Sequence, residues 1–141
     1  MEYLDSDGSL LPISHFDNCI FLLFFTRKKC RPCKILRDTL MFINLSQYTN
    51  IVPVIISMDT TVQDWDECPK INNWLLFPYF PIENRKKMFK DLQVSTMPFL
   101  ALWNKDYKIV IPNSVYSNIY DLQNYIEMSM ACVDIEQFEI I

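Results

Sequence analysis

The longest unbroken apolar run in the chain is CIFLLFF at residues 19–25. Seven bulky residues without a polar interruption predict a strand buried on both faces. A polar stretch, TRKK, then leads into Cys30-Arg31-Pro32-Cys33. Beyond it apolar residues fall at Cys33, Leu36, Leu40 and Ile43, steps of three and four that predict a helix. Pro32 stands where a first-turn proline removes no hydrogen bond, so the two cysteines are expected at a strand-to-helix junction. Residues 51–56 predict a second buried strand, with Pro53 pointing to an edge position or an irregular start. Thr61 and Asp64 open a polar helix that runs to about Lys70. Residues 74–81 are too broken by proline for regular structure, and residues 83–91 read as a short charged helix. Residues 98–103 and 107–111 predict two strands of a hairpin turning at 104–106. A last helix runs from Asn118 to about Met130, with Ile119, Leu122, Ile126 and Met130 on one stripe and Ser117 as its cap.

A strand–helix–strand half followed by a strand–strand–helix half predicts an α/β fold: a central mixed sheet with helices on both faces. The length of 141 residues suits a single domain spanning 1–141. Its core is expected over about 7–130, with loose ends at 1–9 and after Val133. Half of the residues are hydrophobic, enough for a full core, which excludes a disordered chain. No apolar run approaches the roughly 20 residues of a membrane-spanning helix, so no membrane partner is expected. The net charge of −4 argues against nucleic acid as the main partner. There is one glycine, Gly8, which removes every glycine-dependent phosphate loop and with it the nucleotide-binding classes. The acidic start shows no secretory leader. The expected setting is therefore a reducing one, cytoplasmic or nuclear, where cysteines are catalytic, metal-binding or simply buried rather than stapled.

Two cysteines three residues apart at a helix start can close a small disulfide. Unpaired N–H groups and the helix dipole favour an anion there, so the thiol at the N-terminus should ionise below the free-thiol value of about 8.5. Six of the thirteen basic residues (Arg27, Lys28, Lys29, Arg31, Lys34 and Arg37) fall within eleven positions around this pair, in an otherwise acidic chain. Such charge stabilises a thiolate, and Lys29 and Arg31, which flank Cys30, are the candidate tuning residues. The patch could equally recognise an anionic ligand such as glutathione, a phosphate or an acidic partner loop. Cys30, at the outer end of the junction, is the candidate attacking thiol. Cys33, on the apolar stripe, is the candidate buried resolving thiol. Zinc would need two further ligands. His15 stands alone, and Cys19, Cys68 and Cys132 form no second close pair, so no metal and no cofactor are expected. Cys68, among acids, reads as unreactive, Trp103 as core, and Trp74 as core or a binding platform.

With these elements in place the chain resembles the thioredoxin superfamily, and within it the nucleoredoxin and tryparedoxin branch. The likeness rests on DGSLLP at 7–12, on residues 21–33, on WLLFPYF at 74–80 with ENRK at 83–86, and on VSTMP at 94–98, with 68 residues separating Cys30 from Pro98. It implies a thioredoxin-like fold, Cys30 as nucleophile and Cys33 as resolving cysteine. It also implies that Pro98 is the cis-proline and Met97 the residue whose backbone pairs with substrate. Trans is the common form of an X–Pro bond; the resemblance alone reverses that expectation. Four positions depart from the pattern. Lys29 replaces the usual tryptophan before the first cysteine, and the motif interior is Arg-Pro rather than Pro-Pro. Phe24 takes the place where thioredoxins proper keep a buried carboxylate, and the glycine of the last hairpin strand is missing.

The implied activity is that of a protein-disulfide reductase, with disulfide-containing proteins as substrates. An unidentified reductant, either a thioredoxin reductase-like enzyme or a low-molecular-weight thiol such as glutathione, would recycle a monomeric protein. The alternative is an interaction module of the same fold, redox-dependent in its binding and turning over little.

Overall fold

The computed structural model describes residues 3–6 and 9–139. Seven strands and four helices follow one another as β1 (Tyr3–Ser6), β2 (Ser9–Pro12), β3 (Ile20–Thr26), α1 (Arg31–Leu40), β4 (Ile51–Ser57), α2 (Val62–Glu67), β5 (Leu75–Leu76), α3 (Ile82–Asp91), β6 (Phe99–Trp103), β7 (Lys108–Ile111) and α4 (Ile119–Glu139). The strands form one mixed sheet in the order β2-β1-β5-β4-β3-β6-β7. β3 runs parallel to β4 and antiparallel to β6. Every residue of β3 is buried because both faces are covered. Ile20, Leu22 and Phe24 meet α1 and α4 on one side. Phe21, Leu23 and Phe25 meet Met88 and Leu92, from α3 and its C-terminal cap, on the other. The two-residue alternation of a strand thus feeds two cores.

The parallel register Thr26↔Ser57 and the antiparallel register Phe25↔Phe99 fix where the loops emerge. The segment leaving β3, the segment leaving β4 and the segment entering β6 all come out at the same end of the sheet. That is the crevice where open α/β sheets place ligands.

Several expectations are corrected. β4 lies inside the sheet, not at its edge. The Ile55 carbonyl accepts from Phe77 N–H, 2.8 Å away, on the β5 side. The proline of Pro53, two residues back, faces that same side, where β5 pairs only Val54 and Ile55, so its missing N–H removes no bond from the ladder. Within 74–81, Leu75 and Leu76 do form a strand, held by β4 on one side and by the pair Asp5↔Leu76 on the other. Part of the start expected to be loose is paired. β1 and β2 form a hairpin, and Leu4 is fully buried in the α3-side core, whereas Asp7 and Gly8 lie outside the described residues. The last helix continues past Val133 to Glu139. It is capped by Asn118, whose Oδ1 accepts from the N–H groups of Tyr120 and Asp121 (3.0 and 3.1 Å), and not by Ser117.

Tyr116, buried between β6 and β7, accepts a hydrogen bond from Leu100 N–H (3.1 Å) and donates one to the Ile111 carbonyl (3.0 Å). Tyr116→Phe leaves one buried donor and one buried acceptor unpaired. It should lower stability by about 1–3 kcal/mol, read as a lower urea midpoint with an unchanged slope.

Candidate active site

Cys30 is the N-cap of α1, with extended backbone (φ −149°, ψ 102°), and its Sγ accepts a hydrogen bond from the Cys33 N–H at 3.2 Å. Pro32 lies in the first turn, where its ring meets no hydrogen-bond demand. The two Cα atoms are 5.2 Å apart and the cysteines are joined as a disulfide, a separation within the range such bridges occupy. Cys33 is fully buried with Leu36 and Phe24, while Cys30 is only partly buried against the same cluster. The outer and inner sulfurs are therefore distinct. Phe24 belongs to the same cluster, its ring set edge-on to Trp74 at 6.4 Å. Among the described residues the one buried carboxylate is Asp59.

Asp59 does a different job, one the sequence pattern did not suggest. Both of its oxygens accept from the Lys28 N–H (3.2 and 3.0 Å), and Ser57 Oγ donates to Oδ2 at 2.6 Å. Arg85, buried although it sits in a run of charged residues, donates from Nη1 to the carbonyl oxygens of Ser57 and Asp59, 2.8 Å each. Its guanidinium lies 4.5 Å over the Tyr79 ring, and Tyr79 in turn donates to the Thr60 carbonyl at 2.9 Å. Burial lowers the Arg85 pKa, and Tyr79 and Asp59 oppose that shift. Together with the bond from Met58 N–H to the Thr26 carbonyl, 2.9 Å, this network fastens the segment before Cys30 to the end of β4. Its only sequence trace is an aspartate just past a buried strand.

The six clustered cations separate into two groups. Lys28 turns away to pair with Asp64 (3.4 Å) and Glu67 of α2, and its pKa is raised chiefly by the Glu67 bond. Lys34 pairs with Asp38 one turn along, at 2.9 Å. The charge of Arg37 reaches the Cys68 thiol and weakly opposes the rise in its pKa. Arg27, Lys29 and Arg31 are exposed and make no ion pair among the described residues. Across the crevice the Met97–Pro98 peptide is cis. Met97 is partly buried against both cores and, among the described residues, makes no backbone hydrogen bond.

Cys68 is buried, and its thiol is pushed up to about 11, by burial first and then by the Asp59 charge. The carboxylates next to it in sequence are not the cause. A cavity of about 620 Å³ lies beside β5, lined by Trp65, Trp74, Asp5 and Lys70 among others. None of Cys30, Cys33 or Met97 borders it, so the cysteine chemistry belongs to the open end of the sheet. Trp103 packs partly buried against Phe21. Among the described residues no helix is long and apolar enough to cross a membrane.

The family model described as thioredoxin-like matches residues 18–109. Compared by sequence alone, the chain matches none of the curated proteins. Among solved structures it is similar to tryparedoxin from Trypanosoma brucei, with a TM-score of 0.68 and 20% identity, covering 83% of this chain and 85% of that one. It is similar also to thioredoxin from Wuchereria bancrofti, with a TM-score of 0.68 and 20% identity over 90% and 95% of the two chains. Tryparedoxin II complexed with glutathionylspermidine gives 0.68 and 16% over 82% and 84%. At these identities the likeness is one of fold.

With its pKa near 11, only about one Cys68 thiol in a thousand is ionised at pH 8. Iodoacetamide at that pH should label the exposed Cys132 and leave Cys68 unmodified in the native protein. Peptide mass mapping reads both sites, and labelling of Cys68 should begin only as pH climbs past about 10.

Proposed function

Because the chain belongs to the thioredoxin-like family, we propose that it is a thiol–disulfide oxidoreductase that reduces protein disulfides through Cys30 and Cys33. The observation that carries this reading is the cap itself. A partly buried sulfur takes a free N–H in the first turn of a helix, and a second, buried sulfur is bridged to it. A thiolate at that position gains from the N–H bond and the helix dipole and loses little hydration.

The Cys30 thiolate attacks one sulfur of a partner disulfide, and the other sulfur leaves as a thiolate that takes up a proton. Cys33 gives its proton to water, because Phe24 supplies no carboxylate beneath it. It then attacks Cys30, breaks the mixed disulfide and releases the second substrate thiol. Two electrons pass to the substrate, and the protein is left with the Cys30–Cys33 bridge. The free backbone of Met97 is the edge along which an extended substrate segment pairs. A reductant, a reductase or a low-molecular-weight thiol, restores the dithiol. A cytoplasmic or nuclear location belongs to the same proposal.

In a Cys33→Ser protein the mixed disulfide has no internal exit. Partners should accumulate on Cys30 as adducts seen on non-reducing gels and released by dithiothreitol, and Cys30→Ser should abolish them. An interaction module would instead hold the same partners with both cysteines replaced.

On the Cys33→Ser background, alkylation rates at Cys30 followed by mass across pH should give a pKa below 8.5. Replacing Lys29 and Arg31 together with glutamine should raise it by roughly 0.5–1 unit. An unchanged value would show that the patch does not tune the sulfur.

A further inference from the structure

The geometry points to a substrate class for this site: disulfides flanked by carboxylates. The inference rests on the exchange chemistry proposed above. Three facts carry it. First, the acids paired with the cluster are taken up by two of its members, Asp64 and Glu67 by Lys28 and Asp38 by Lys34. Second, Asp59, the carboxylate bonded to this segment, is buried and turned onto the Lys28 N–H, while Ser95-Thr96-Met97-Pro98 across the crevice carry no charge. Third, Arg27, Lys29 and Arg31 remain exposed and unpaired among the described residues, the last two on either side of the attacking sulfur. A protein with net charge −4 thus presents a positive rim at the one place where another molecule's sulfur must approach. Carboxylates beside the scissile S–S bond would fall against these side chains, whereas ammonium groups there would be repelled.

Thiolate tuning and substrate selection are separable. Two disulfides attacked by the same thiolate share its ionised fraction and its nucleophilicity, so the ratio of their rates reports selection alone. Each charge pair about 6 Å apart in water-like surroundings changes a rate roughly threefold before screening. Two cations facing an anionic rather than a cationic substrate should give a ratio of about tenfold or more at low salt.

The test uses the reduced full chain with three small disulfides: 3,3′-dithiodipropionate, 2-hydroxyethyl disulfide and cystamine. Each rate is divided by that of 2-mercaptoethanol with the same compound, which removes leaving-group differences. The expected order is anionic, neutral, cationic, with a spread of about tenfold that shrinks severalfold in high salt. Lys29→Gln with Arg31→Gln should collapse the spread to about twofold while all three compounds still react. Cyclic disulfide peptides with glutamate or lysine beside each cysteine then distinguish the sources. Selectivity repeated there assigns a protein loop, and selectivity confined to the small compounds assigns a low-molecular-weight disulfide. A flat or inverted order in the unmodified protein, or a spread untouched by the double substitution, overturns this inference alone. Failure to react with any disulfide overturns the exchange reading beneath it.

Discussion

The hydrogen bond from the Cys33 N–H to the Cys30 sulfur ties a backbone geometry to a redox chemistry. A helix must begin somewhere, and its first N–H groups need partners that the helix cannot supply. Here the partner is a sulfur rather than the usual serine, threonine or aspartate oxygen. The same bond that starts α1 therefore favours an anion on the Cys30 sulfur. It works only if the preceding segment arrives in an extended conformation from the right direction. The buried β3 fixes the point of departure, and Asp59, braced by Arg85, holds the last turn of the path at Lys28.

That bracing also sorts charge. The basic run looks uniform when written out, yet folding assigns its members different neighbours. Lys28 joins the active-site segment to α2, Lys34 closes a turn of α1, and the charge of Arg37 acts on Cys68. Exposed pairs of this kind contribute little stability, but they decide which charges remain uncompensated beside the sulfur. Arg85 reverses the usual placement: a guanidinium taken inside to hold two carbonyl oxygens that a strand end leaves unpaired.

Most of the frame was legible because apolar periodicity is a direct record of burial. Residues 19–25 and the stripe of α4 could hardly read otherwise. The cysteine pair was legible because its spacing and its Pro32 mark a helix start. The failures have physical causes. The interior position of β4 was masked by Pro53, whose effect depends on how short β5 is, a fact residing in a different part of the chain. β5 itself is two residues long and has no period to detect. Asn118 and Ser117 are both good caps, and only the backbone path chooses between them. Asp59 and Arg85 act through contacts 26 to 31 residues apart, which no local pattern encodes.

The scarcity of glycine leaves a mark on the backbone. With a single glycine in the chain, Asn18, Asn73 and Gln93 take the left-handed conformation, at φ 66°, 70° and 55°. Asparagine tolerates this, but glutamine does so at a penalty of about 1 kcal/mol. Gln93 ends α3 in a Schellman turn, with Gln93 N–H bonded to the Lys90 carbonyl and Val94 N–H to the Phe89 carbonyl. Leu92 and Val94 on either side are buried, so the backbone cannot swing away to relax. The five residues from Gln93 to Met97 are thus hung from a conformationally taut anchor. The loop that leads into Met97 and Pro98 therefore starts from a turn that carries a conformational cost a glycine would have spared it.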